Sequence, residues 1–202
     1  MKSRINRLLE EIEQKKIELK GEYLKLMEKY SFSFIKGKIV FTNEARIANK
    51  KKKKSILESI FSARVREILS MPFIYSMIIP AIILDIFLFM YQNTAIRLYG
   101  IPLVKRSDYI SFERKELDYL NTIQKVNCLY CSYVNGLFSY AVEVGGRTEK
   151  YWCPIKSAKK MRGGHEWQKY FADYGDPEGF RECFLSIDEY YKEKEKSILE
   201  EK

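Results

Sequence analysis

The spacing of apolar positions changes several times along this chain, and each change predicts a different element. Over residues 3–30, Ile5, Ile12, Leu19 and Leu26 recur every seven residues, with Leu8, Leu9, Tyr23 and Tyr30 beside them and charge on the other faces. That spacing predicts a helix. Lys15, Glu22 and Lys29 occupy d-like positions, which favours a helix laid against its own domain over a dimer zipper. Residues 31–41, SFSFIKGKIVF, place aromatic and β-branched side chains around Lys-Gly-Lys and predict a small hairpin or an irregular crossover. Residues 56–67 read as an amphipathic helix, with Ile56, Leu57, Ile60, Phe61 and Val65 set against Glu58, Arg64, Arg66 and Glu67.

The period then disappears. Residues 68–90, ILSMPFIYSMIIPAIILDIFLFM, are apolar on every side, and Asp85 is their one ionisable group. At about 1.5 Å per residue such a helix crosses a hydrocarbon core of roughly 30 Å. The alternative is the core helix of a soluble domain. It would need more covering protein than two charged ends supply. Pro72 falls near the start of this helix, where its missing N–H costs little, and Pro80 falls inside, where it should bend the helix. Asp85 is expected at the membrane interface, the alternative being an inward turn toward a partner.

Tyr99-Gly100-Ile101-Pro102 breaks the pattern, and helical spacing resumes from Phe112 through Leu117, Leu120, Ile123 and Val126 to about Val144. Within 126–144 only Glu143 is charged, so this second helix is expected to pack on the first or lie in the interface. Gly145-Gly146 reads as a helix break, as do Gly163-Gly164 and Asp176-Pro177. A charged helix is expected over roughly Ile187–Glu200. The fold class is therefore mainly α: a membrane-associated helix or helical hairpin with cytoplasmic helical extensions and at most a minor β-hairpin. The expected divisions are a basic helical region over 1–67, a transmembrane or re-entrant helix over 68–91, a helical region over 92–186, and a charged helix over 187–202.

Charge sharpens this picture. The net charge is +9, and the whole excess lies in residues 1–67, the remainder being neutral. Lys50 to Lys54 are five consecutive lysines just before the apolar segment. They read equally as a solvated linker and as a contact with anionic lipid headgroups, worth about 1 kcal/mol per Lys near the surface. The lipid bilayer is thus the expected partner, and no nucleic acid is. Lys and Arg before the segment outnumber those just after it, which places the N-terminus in the cytoplasm and the chain in the cell inner membrane. The 15 Tyr and 12 Phe suit an interface.

The candidate chemistry lies with the cysteines. Cys128 and Cys131 share one helical face, as a metal or a disulfide needs. Cys153 precedes Pro154, and His165, the single histidine, follows Gly163-Gly164. Cys128, Cys131 and Cys153 with either His165 or Cys183 would suit zinc, and the all-sulfur set iron. Buried packing cysteines in a structural or adaptor protein, and a thiol-disulfide exchange pair, are the alternatives. For His165 a packing or surface role is the plainer reading. No nucleophile elbow, P-loop, dinucleotide fingerprint or metalloprotease motif is present.

The stretches PFIYSMIIP, YGIP, NCLYCSYVNGL, RTEKYWCPIK and DYGD are similar to those of a family of uncharacterised bacterial hypothetical membrane proteins, over roughly residues 68–180. The resemblance implies membrane association and carries no activity, cofactor or catalytic residue. At Ser157 that family commonly has His, so the resemblance offers one ligand fewer here.

Overall fold

The structure, a computed structural model, describes residues 4–35, 38–159 and 162–183. It is mainly α, 70% helix with one two-stranded antiparallel sheet. The expected helix at 187–200 lies outside the described residues. The chain forms two compact units. One holds the residues up to Ala63 together with Glu113–Val126, and the other holds Arg64–Phe112 and the residues from Asn127 on.

In the first unit, α1 (Arg4–Tyr30) runs into a hairpin of β1 (Phe32–Ile35) and β2 (Lys38–Phe41), paired Phe32 to Phe41 and Ile35 to Lys38. Ser31 makes the corner in the left-handed region, φ 52°, where its N–H returns to Glu28 O at 3.1 Å. α2 (Asn43–Lys51) starts at Thr42, whose Oγ1 accepts from Ala45 N at 3.3 Å. It ends in Lys50 and Lys51, where cations suit the negative end of the helix dipole. The lysine run is therefore partly a helix terminus, and Lys50 to Lys54 are all exposed. α3 (Ile56–Phe61) follows. The expected continuous helix over 56–67 is split, because Arg64 is extended and its N–H donates to Glu67 Oε2 at 3.2 Å, starting a new helix. Arg46 Nε meets Asp118 Oδ2 at 2.9 Å. The expectation that α1 lies against its own domain is not met: from Glu11 to Tyr30 nearly every side chain is exposed.

In the second unit, α4 (Val65–Ser76) and α5 (Ile78–Tyr91) are separated by a turn at Met77. Pro80 stands three residues on and has no N–H to return to the Ser76 carbonyl, so the α-helical ladder breaks there. Pro80 thus sits in the first turn of a helix. Pro72, expected near a helix start, lies inside α4, because Glu67 begins that helix several residues earlier than the apolar run suggests. α5 ends in one π-helical turn, Gln92–Ile96. A return segment leads to 3-10 turns at Arg106–Asp108 and Glu113–Glu116, and α6 spans Thr122–Trp152.

The start of α6 is set by Asn121, whose Oδ1 accepts from Gln124 N at 2.9 Å while its own N–H donates to Gln124 Oε1 at 3.0 Å. This reciprocal cap places the helix start ten residues beyond Phe112. Contrary to expectation, α6 passes straight through Gly145-Gly146. Gly146 serves closeness instead of a break: a Cβ there would lie 2.6 Å from His165 Cγ and 2.9 Å from Trp167 Cδ1. Gly136 likewise lies under Tyr109 O, which a Cβ would meet at 2.6 Å.

Contacts between α4–α5 and α6 rise together in sequence. Ile74 and Tyr75 meet Tyr130 and Asn127, Asp85 meets Tyr133, Gln92 meets Tyr140, and Tyr91 meets Thr148. The helices are parallel, so they are not the two arms of a hairpin. The core between them holds Ala81, Val104, Ile110, Leu137, Tyr140 and Val144.

Candidate functional site

The helix Val65–Ile96 is long and apolar enough to cross a membrane, with a mean hydropathy of 2.3 in its best window, and only 6% of that window is buried. The core helix of a soluble domain would be mostly covered. Here α5 is divided lengthwise. Ile78, Ala81, Asp85, Leu88 and Gln92 form one stripe at spacings of three and four, facing α6 and the return segment. The opposite half presents Ile79, Ile82, Ile83, Ile86, Phe87, Phe89 and Met90, all exposed. Such a continuous apolar face marks an interaction surface.

The covered stripe is a polar seam. Arg106 donates to Asp85 through Nε at 3.1 Å and Nη2 at 2.6 Å, and Tyr133 Oη donates to Asp85 Oδ2 at 3.0 Å. The guanidinium also lies 5.8 Å from the Tyr133 ring centre. Asp85 thus turns inward, toward Arg106 and Tyr133. A bidentate arginine plus a phenol satisfies a carboxylate beside an apolar helix better than a long reach to water. About two turns on, the Gln92 amide pairs both backbone groups of Val104, donating at 3.2 Å and accepting at 2.7 Å, and also donates to Tyr140 Oη. The π-helical turn starts at Gln92, as such turns commonly do where a side chain is re-aimed. Asp85 stood out in the sequence as a charge in an apolar run. Arg106, Tyr133, Gln92 and Tyr140 did not, although the three-and-four spacing of 78, 81, 85, 88 and 92 carried a signal for the seam.

The end of α6 carries a second cluster. Glu143 accepts from Arg147 Nε at 2.8 Å and Trp167 Nε1 at 3.1 Å, while Arg147 Nη1 reaches Pro102 O at 2.6 Å. Lys150, buried, lies 4.8 Å from the Trp167 ring centre. The segment after Cys153 folds back along α6, with Ile155 bridged to Ala172 and Lys156 Nζ on Asp173 Oδ1 at 2.7 Å. His165 fastens it: Nε2 lies 2.6 Å from Glu149 Oε2, and Nδ1 is sealed without a hydrogen-bond partner against Gly146. An open cleft of about 590 Å³ lies beside this cluster, lined by Phe138, Val142, Glu143, His165, Trp167 and Tyr170.

The cysteines do not assemble as the sequence suggests. Cys128, half-buried, and Cys131, exposed, share an early turn of α6, and Cys153, exposed, follows its last residue. Cys153 comes twenty-two positions after Cys131, about 33 Å of helix at 1.5 Å per residue. One ion cannot bridge that distance. His165 is committed to Glu149, and Cys183 Sγ lies 3.5 Å from Tyr170 O. Among the described residues no group of three or more His, Cys, Asp or Glu is placed to hold a metal ion. Cys128, Cys131 and Cys153 are therefore not brought to one point by the fold. No disulfide joins the four cysteines.

The second unit is joined by contacts between stretches far apart in sequence: Tyr75 with Asn127, Tyr130 with Ile74, Tyr133 with Asp85, and Gly136 under Tyr109. Comparison with protein-family models, curated proteins and solved structures returns no match.

Proposed function

We propose that this protein is a membrane-anchored structural or adaptor protein of the cell inner membrane, held by the apolar half of α4–α5, with its basic N-terminal unit cytoplasmic. The observation that carries the reading is the helix Val65–Ile96, whose best window has a mean hydropathy of 2.3 with only 6% of it buried. Burying that face in lipid removes a surface that water disfavours at roughly 25 cal/mol per Å². Two further features support it. Tyr99, Tyr151 and Trp152 stack within 5.5 Å of one another at the far end of the helix, as interfacial aromatics do. Lys50 to Lys54 stand free for anionic headgroups.

One observation favours a second seat, with the helix lying in the plane of the interface. Lys105, Arg106, Ser107 and Asp108 are exposed, and Arg106 is at the level of Asp85, about two-thirds of the way along the 32-residue apolar helix. Exposed irregular backbone is excluded from the lipid core. The two seats separate experimentally. Both keep the chain in the membrane pellet. Only a spanning helix with a cytoplasmic N-terminus brings Cys153 to the outer side, where an impermeant maleimide labels it in intact spheroplasts. An in-plane helix leaves Cys153 unlabelled until lysis. Recovery of the chain in the soluble fraction without detergent overturns both.

A further inference from the structure

We propose that α1 is a self-association element that pairs antiparallel with α1 of a second copy of this chain. The observation is an exposed apolar seam: Ile12, Leu19, Tyr23 and Leu26 are 52%, 59%, 53% and 45% exposed, and Tyr30 is exposed as well. A helix of this length with an uncovered apolar stripe gains most of its stability by tertiary or quaternary packing. The structure is helical over Arg4–Tyr30, which permits a register to be assigned. With Ile12, Leu19 and Leu26 as d, the a positions are Lys16, Tyr23 and Tyr30, separated from d by alternating steps of three and four. In this register Lys15, Glu22 and Lys29 leave the seam and become flanking g residues, and Glu13 and Lys20 become e residues.

Charge decides both the partner and the direction. A parallel copy would set Lys16 against Lys16 in the core and Lys15 against Lys20 on the flank, each a like-charge contact. An antiparallel copy sets Lys16 of each chain opposite Leu19 of the other, where its stem can pack and its ammonium reach water. Tyr23 then faces Ile12. On the flanks Lys15 meets Glu22 of the partner copy, and Glu13 meets Lys20 of the partner copy, each twice by symmetry. Among the described residues these side chains pair along their own helix, such as Lys15 with Glu18 at 2.7 Å and Glu22 with Lys25 at 2.8 Å. A surface that matches itself in apolar pattern and in sign of charge fits a second copy, in the isologous manner of a two-fold dimer. This inference stands apart from membrane attachment.

The test is a charge swap on the full chain in a mild detergent, with dimer dissociation read by dilution. Lys15→Glu and Glu22→Lys each set two like charges together, and each should weaken the dimer about fivefold. The double variant Lys15→Glu/Glu22→Lys should return to within about twofold of the original chain. Leu19→Lys should abolish the dimer. Lys and Glu are comparable helix formers, so unchanged far-ultraviolet helicity identifies these as interface effects. Tightening by Lys15→Glu alone would mean parallel pairing with Lys20 and would overturn the proposal. So would a chain that stays monomeric at all concentrations, or whose α1 protects only on anionic vesicles.

Discussion

Asp85 sits in the helix where an uncompensated carboxylate costs most, and three donor atoms from two side chains converge on it. Removing the carboxylate strands Arg106, which is half-exposed and regains water in part. Asp85→Ala should therefore destabilise the fold by about 1–2 kcal/mol, less than for a fully buried pair. Denaturant unfolding in detergent measures it. Gly146 works in the opposite sense, by having no side chain. Gly146→Ala drives a methyl into the His165 ring and should cost about 1–3 kcal/mol. Adding His165→Ala should recover part of that loss. Asp118 gives a pH signature. The hydrogen bond from Arg46, helped by its charge, holds the Asp118 carboxyl below its ordinary 3.8. The unfolded chain then binds this proton more readily than the folded one. The contribution is present above about pH 4 and is lost as pH falls through the lower folded value. Asp118→Asn should flatten the acid limb of the unfolding curve slightly, since the pair lies at the surface.

At the scale of elements, α5 is one helix with two unlike faces. Its covered half is held by packing and by the seam, and its other half is exposed. Ile83→Lys therefore separates folding from anchoring. Ile83 is exposed, so the substitution leaves α5–α6 packing intact. A cation at a bilayer-embedded position costs about 2.5–3.5 kcal/mol. The expected outcome is unchanged unfolding in detergent with a clear shift from the alkaline-resistant pellet to the supernatant. Unchanged pelleting would count against α5 as the anchor. α6 is held differently: two glycines let the return segment and the His165 loop approach its backbone, and this closeness offsets the helix propensity they sacrifice, about 1 kcal/mol each.

At the scale of the whole chain, the parallel course of α4–α5 and α6 sets Cys128 and Cys131 near one end of the apolar helix and Cys153 near the other. Cys153→Ser should leave the reactivity of Cys128 and Cys131 toward a thiol reagent unchanged, because no shared ion links them. Cys131 and Cys153, exposed, should react before half-buried Cys128 in the native protein. Local pattern sufficed for much of this molecule. The amount of helix, the Phe32–Phe41 hairpin and the apolar helix follow from periodicity, β-branched and aromatic content, and unbroken hydropathy, all properties of neighbours in sequence. So does the suspicion that Asp85 is special. The partner of Asp85 is twenty-one residues away across a return segment, and no period encodes that. The continuity of α6 through Gly145-Gly146 depends on rings arriving from residues 165 and 167, and its start depends on an asparagine cap. The cysteine set failed because like ligands on one helix were separated by its length. Sequence determined which segments are helical and apolar, since those are short-range energies. Tertiary structure decided which groups meet, because that depends on where loops return the chain.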